Sequence, residues 1–180
     1  KATAWRCTPR RTRRLPRAIP TIRSPSSMSR YTASVRWTRG DAKFTDNRYS
    51  RRHAWHFDGG AAVAGSSSPH SVPLPYSDAT AVDPEEAFVA AISSCHMLFF
   101  LSIAAKHGHR IDDYVDDAEG FLETDAAGLM WMTRVVLHPQ VVWSGDTRPS
   151  VDDISAMHNE AHHLCYIANS VKATIDCVPR

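Results

Sequence analysis

The stretch at residues 83–108, DPEEAFVAAISSCHMLFFLSIAAKHG, constrains this chain more than any other. Asp83 suits a helix N-cap, Pro84 suits the first helical position, and Glu86 completes an Asp-x-x-Glu capping box, so a helix is predicted to begin here. It runs to about Lys106 and stops at Gly108. The 19 residues between 87 and 105 are nearly all apolar, close to the length of a membrane span. Ser93, Ser94, Cys95, His96 and Ser102 interrupt the run, and neither its flanks nor the rest of the chain read as a membrane protein. A helix apolar on nearly every face is otherwise a buried one. In a chain of 180 residues, enclosure by sheet and by a second long helix is easier to arrange in an interlocked dimer than in a monomer.

The charge is unevenly placed. Residues 1–27 hold eight Lys or Arg and no acid, leaving 13 basic against 19 acidic residues in the remaining chain, a net −6. An acidic body argues against a nucleic-acid-binding surface, because phosphate binding is driven by clustered positive charge. The basic stretch itself has frequent prolines and no apolar period, so it reads as a disordered arm. No continuous apolar run follows its arginines, as a secretory or twin-arginine signal would require, and the expected location is the cytoplasm. Met28 directly precedes the first regular pattern, which leaves open that residues 1–27 lie outside the natural protein. Residues 28–180 are read as one domain, since 43% hydrophobic content at this length supports a single core.

From Met28 on, YTASVRWT alternates Tyr31, Ala33, Val35 and Trp37 with polar residues, the period of a half-buried strand, and RRHAWHF repeats the idea. Residues 59–82 carry serines, prolines and little period, and read as a long loop. After the first helix come two strands, in DYVDDAEGFLETD and LMWMTRVVLHPQVVW, turning at Ala126-Ala127-Gly128. A second helix starts with Ser150 as cap and Asp153 at its third position, burying Val151, Ile154, Met157, Ala161 and Leu164, and KATIDCV is a final strand. The order β-β-α-β-β-α-β segregates strands from helices, which predicts an α+β fold with two long helices and a mainly antiparallel sheet.

Four cysteines fall into two kinds. Cys7 in the arm and Cys177 in the last strand read as incidental. Cys95 and Cys165 each lie in or at the end of a long helix in polar company, with Ser93, Ser94 and His96 around the first and His162, His163 and Asn169 around the second. A buried cysteine by itself reads as a small hydrophobe. A pair of this kind in a chain lacking a secretion signal reads as redox-active instead.

DPEEAFVAAISSCHMLFFLSIAAKHG, the second cysteine in AHHLCYIANSVKATI and the 70-residue interval between the two resemble the OsmC/Ohr family of thiol-dependent peroxidases, over roughly residues 30–178. The resemblance implies an intertwined homodimer that reduces organic hydroperoxides, and hydrogen peroxide less well. Cys95 would be peroxidatic and Cys165 resolving, with an external dithiol of the lipoyl type as reductant and no bound cofactor or metal. It also implies an arginine and a glutamate supporting the first thiol. Glu85 matches the glutamate, following the proline of the motif ten residues before Cys95. Arg51 is the choice of arginine, with Arg52 and Arg36 as alternates, and alignment on HFDG would place His56 there. The loop at 59–82 is an insertion relative to shorter members.

These residue types suit the chemistry. The thiolate attacks peroxide, and an apolar setting disfavours it unless a cation is near. Arginine supplies that charge with a fork of donors, and a carboxylate fixes the fork. A resolving thiol intercepts the sulfenic acid before it over-oxidises. Two other readings compete: a metal set drawn from His158, His162, His163, Cys165, Cys95 and His96, whose spacing matches no closed zinc module, and a module that binds a small apolar ligand without turnover. His96 itself reads as a packing or hydrogen-bonding neighbour, because adjacent helical residues face different ways.

Overall fold

The computed structural model describes residues 28–180; the basic arm expected to be disordered lies outside the described residues. The chain divides into two units, one ending at Pro84 and one running from Glu85 to Arg180.

In the first unit, β1 (Ala33–Arg36), β2 (His53–Phe57) and β3 (Ala62–Gly65) form an antiparallel sheet in the order β1-β2-β3. Val35 faces Trp55, and Trp55 faces Val63. The alternation in YTASVRWT does mark a strand, but β1 is exposed along its whole length, Val35 at 66%, rather than half-buried. β3 falls inside the segment expected to be loop. Its Ala-Val-Ala-Gly sequence carries little strand propensity, and what makes it a strand is pairing with β2. Beyond it, residues 66–82 fold back on the sheet: Gly65 bridges Val82, and the fully buried Ser66 accepts a hydrogen bond from the Asp78 N–H at 2.9 Å. Gly65 is required here, since a Cβ would lie 2.5 Å from His53 Nε2.

The second unit opens with α1 (Pro84–Lys106) and continues with β4 (Arg110–Asp116), β5 (Glu119–Thr124), β6 (Met130–Leu137), β7 (Pro139–Ser144), α2 (Val151–Leu164) and β8 (Thr174–Cys177). The two strands expected between the helices are four, because each long apolar run breaks once, at Asp117-Ala118 and at His138. β4 pairs antiparallel with β7; β5 pairs antiparallel with β6, and β6 pairs parallel with β8. The fold is α+β and mainly antiparallel, as the order of elements predicts.

α1 ends where its glycine requires. Gly108 takes φ +80°, its N–H bonds Ala105 O, and the His109 N–H bonds Ala104 O, a Schellman closure. At the other helix Ser150 and Asp153 form the expected capping box.

By length and composition α1 could cross a membrane. Within this chain it instead packs along one stripe, Ile92, His96, Phe100, Ile103 and Ala104, at helical spacing. Its first half lies against Val135, Leu137, Ile175 and Cys177 of the three-stranded sheet. Its second half lies against Met157 and Ala161 of α2, with Ile111, Tyr114, Val141 and Trp143 of the β4-β7 pair around them. Gly120 on β5 permits the close approach, since a Cβ there would sit 2.5 Å from Val89. Enclosure on every face, as expected from composition, does not occur within one chain: Ala91, Ser94, Leu98, Ser102 and Ala105 form an exposed stripe, Leu98 at 60%.

Phe100 is fully buried and meets Tyr114, Trp143 and His158 with its ring. Phe100→Ala is expected to destabilise the protein by about 3–5 kcal/mol through the cavity it leaves, read as a lower midpoint in chemical denaturation.

Candidate active site

Cys95 stands in the middle of α1, half-buried, one turn after Ile92 and one turn before Phe99. Cys165 stands at the C-cap of α2 and is fully buried. Its backbone leaves the helix with ψ 112° while its N–H still bonds the Ala161 and His162 carbonyls. Asn169 closes this end by donating from Nδ2 to the carbonyls of His163 and Cys165, each at 2.9 Å. The 3-10 turn Ala168–Ser170 that follows directs the Ala168 N–H at Cys165 Sγ, 3.4 Å away. A helix end thus places one thiol, and a helix middle the other.

The two thiols meet. Cys95 and Cys165, 70 residues apart in sequence, lie close enough to act on each other electrostatically and are not joined by a disulfide. Burial above all, with the Cys95 thiol adding to it, pushes the Cys165 thiol up to about 11, although the Ala168 N–H acts the other way. Cys165 is therefore protonated at neutral pH. Phe99, one turn after Cys95, meets Tyr166, the residue after Cys165, edge to face at 5.1 Å.

The remaining predicted residues stand as follows. Glu85 lies on the first turn of α1 and its Oε2 is buried without a hydrogen-bond partner. Ten residues of helix put it about 15 Å along the axis from Cys95. Arg51, in the other unit, donates from Nη1 to the carbonyls of Asn47 and Tyr49 and from Nη2 to Asn47 Oδ1, with its guanidinium 3.8 Å over the Tyr49 ring. Arg52 is paired with Asp78, and Arg36 Nε reaches Ser34 Oγ at 3.4 Å. His56 is exposed on β2 opposite Ser34.

A second polar cluster lies in the core of the same unit. His96 Nε2 and His158 Nδ1 are 3.0 Å apart, both rings buried, so His96 is the hydrogen-bonding neighbour that its position implied. Burial, reinforced by His162, pulls His96 down to about 4; burial, reinforced by His96, pulls His158 down to about 3. Cys177 joins them: one nitrogen of each ring and the Cys177 sulfur all lie within 4.8 Å of one another. Of this group the candidate metal set read from the sequence contains His96 and His158 but not Cys177, which comes from β8 far along the chain, and it includes His163, which is exposed. A recess of about 110 Å³ between His107, His109, Asp153 and Glu160 contains neither Cys95 nor Cys165.

An α+β unit in which a central helix brings its cysteine against a second cysteine at the end of another helix defines a dithiol protein of the OsmC type. The chain belongs to the OsmC-like protein family, whose model matches residues 77–179. Among solved structures it is similar to an OsmC-like protein of unknown function from Vibrio cholerae O1 biovar eltor, at 51% identity and a TM-score of 0.83, over 85% of this chain and 100% of that one. It also shares the fold of an organic hydroperoxide resistance protein OsmC from Legionella pneumophila (17% identity, TM-score 0.59, covering 84% of this chain and 97% of that one). The organic hydroperoxide resistance protein OhrB of Bacillus subtilis is similar at 18% identity and a TM-score of 0.53, with 83% and 97% covered. No curated protein matches the chain.

Proposed function

We propose that this protein is a thiol-dependent peroxidase that reduces organic hydroperoxides, with Cys95 as the attacking thiol and Cys165 as the resolving one. The observation that carries the reading is the proximity of these two thiols, brought together from 70 residues apart, one in the middle of α1 and one at the end of α2. Cys165, buried and with its thiol pushed up to about 11, suits the resolving role, which leaves attack to the half-buried Cys95. Cys95–SH and ROOH give Cys95–SOH and ROH. Condensation with Cys165–SH then gives the disulfide and water. An external dithiol, of the lipoyl type on the family resemblance, reduces the disulfide and leaves as its own cyclic disulfide. Phe99 and Tyr166 beside the thiols favour an apolar R group over hydrogen peroxide.

In this reading Arg51 is the arginine proposed, on the family resemblance, to support the thiolate, which asks its guanidinium to leave the Asn47 and Tyr49 partners it holds in this structure. Glu85, whose buried Oε2 has no hydrogen-bond partner among the described residues, steadies an arginine. The exposed stripe of α1 fits a homodimer, in which a second α1 running antiparallel brings a second Glu85 toward the middle of the first helix.

Cys165→Ser separates the two roles. It is expected to consume one equivalent of organic hydroperoxide in forming the Cys95 sulfenic acid and a second in forming the sulfinic acid, which accumulates in the mass spectrum as turnover stalls, while the wild type forms an intramolecular Cys95–Cys165 disulfide. A Cys165→Ser variant that turns over with dithiol and resists over-oxidation as well as the wild type does would overturn the two-thiol mechanism. An outcome in which the wild type loses no thiol to hydroperoxide would favour a non-catalytic binding module instead.

A further inference from the structure

We propose that His96, His158 and Cys177 form a three-coordinate binding site for a soft monovalent cation, Cu(I), inside the core of the second unit. The three side chains come from α1, α2 and β8 and are 1%, 4% and 8% exposed. One nitrogen from each ring and the Cys177 sulfur lie within 4.8 Å of one another. Metal–nitrogen and metal–sulfur bonds of about 2.0–2.3 Å put the donors of a three-coordinate ion about 3.5–4 Å apart. Closing the site therefore asks each side chain to move by about an ångström or less.

A second observation points to a ligand here. His158 Nε2 is buried with no hydrogen-bond partner, and so is the hydroxyl of Tyr114 on β4, which interacts electrostatically with Cys177. Two buried polar atoms without a hydrogen-bond partner among the described residues, in a core otherwise made of Ile92, Val135, Leu137 and Phe100, are costly to keep without a compensating role. The His158 ring is also fixed in place, stacked 4.0 Å from the Phe100 ring and 5.3 Å from that of His96.

The donor set selects the ion. Two neutral imidazoles and one thiolate carry a single negative charge, so a monovalent ion leaves the site neutral. A divalent ion would leave a net positive charge in a dry interior, which is expensive, and would want a fourth donor. Thiolate with imidazole suits Cu(I), which is soft. Binding forms the copper–sulfur bond and releases the thiol proton: Cu(I) and Cys177–SH give Cu–S–Cys177 and H⁺, with no change of oxidation state. The ring that donates in the His96–His158 hydrogen bond moves its proton to its other nitrogen and offers the freed lone pair to the ion.

Cys95 and Cys165 together would themselves capture Cu(I), and Cys7 is a further thiol, so the test uses the full chain carrying C7S, C95S and C165S, in which Cys177 is the sole cysteine. Titrated anaerobically with Cu(I) against a chromophoric chelator, this protein is expected to take one equivalent. X-ray absorption at the copper edge should then report one sulfur and two imidazole nitrogens. Adding Cys177→Ser, or independently His158→Gln, should weaken competition by ~100-fold or more. The spectrum needs no further substitution, so the proposal stays testable if either of these variants fails to fold. No binding, a copper site without sulfur, unchanged affinity in a folded Cys177→Ser or His158→Gln protein, or preference for Zn(II) over Cu(I) would each overturn it.

Discussion

Cys95→Ser is expected to abolish reduction of organic hydroperoxide, lowering dithiol-driven turnover by roughly 10³-fold or more, the scale on which removing a nucleophile acts, while leaving the fold intact. Serine fills nearly the same volume at this half-buried position in the middle of α1, and the packing stripe of Ile92, His96 and Phe100 does not include it. The loss would therefore come from chemistry rather than stability. A hydroxyl in that place cannot form a sulfenic acid, and Cys165, protonated at neutral pH and fully buried, cannot take over the attack. The measurement is peroxide consumption with a dithiol present, beside a circular dichroism spectrum and melting curve. A folded Cys95→Ser protein with wild-type turnover would remove the proposed mechanism altogether.

The second large effect is acid destabilisation. In the metal-free protein, held so by a chelator, His96 and His158 titrate near 4 and 3 instead of 6.5 because burial penalises their charged forms. Between these values and 6.5 the unfolded chain binds protons that the folded chain does not. Stability is thus complete above pH 6.5 and falls as the pH drops, by about 1.4 kcal/mol per pH unit for each imidazole. Two imidazoles give a loss of about 4 kcal/mol between pH 7 and pH 5, less where the first proton is shared across the 3.0 Å contact. Asp153, held below the usual carboxylate range by the Ser150 side chain, acts in the same direction but only below that window. Chemical denaturation at pH 7, 6 and 5 reads the effect directly. A stability unchanged across that interval would mean that the pair is open to solvent.

The local reading of the sequence succeeded where the signal is local. Both helices were legible from their end signals: α1 starts at Pro84 and closes at Gly108, and Ser150 with Asp153 caps α2, because such signals act through atoms within four or five residues. The cysteine motif in α1 and the 70-residue interval were legible too, and they were sufficient to indicate the family to which the chain belongs. Strand count was less legible. Ala62–Gly65 carries no pattern of its own, and the breaks at Asp117-Ala118 and His138 interrupt runs that composition alone joins.

By itself, then, the sequence determined the α+β class, the helix boundaries and the family to which the chain belongs. It could not determine that Cys177, read as incidental, shares the core with His96 and His158, nor that α1 buries one stripe and exposes another. Those facts depend on contacts between α1, α2 and β8, residues separated by up to 81 positions, and no short-range period encodes such distances. The thiol contact is of the same kind. Sequence named Cys95 and Cys165, but only the packing of α2 against α1 brings the two thiols close enough to interact, and burial at that junction pushes the Cys165 thiol further up.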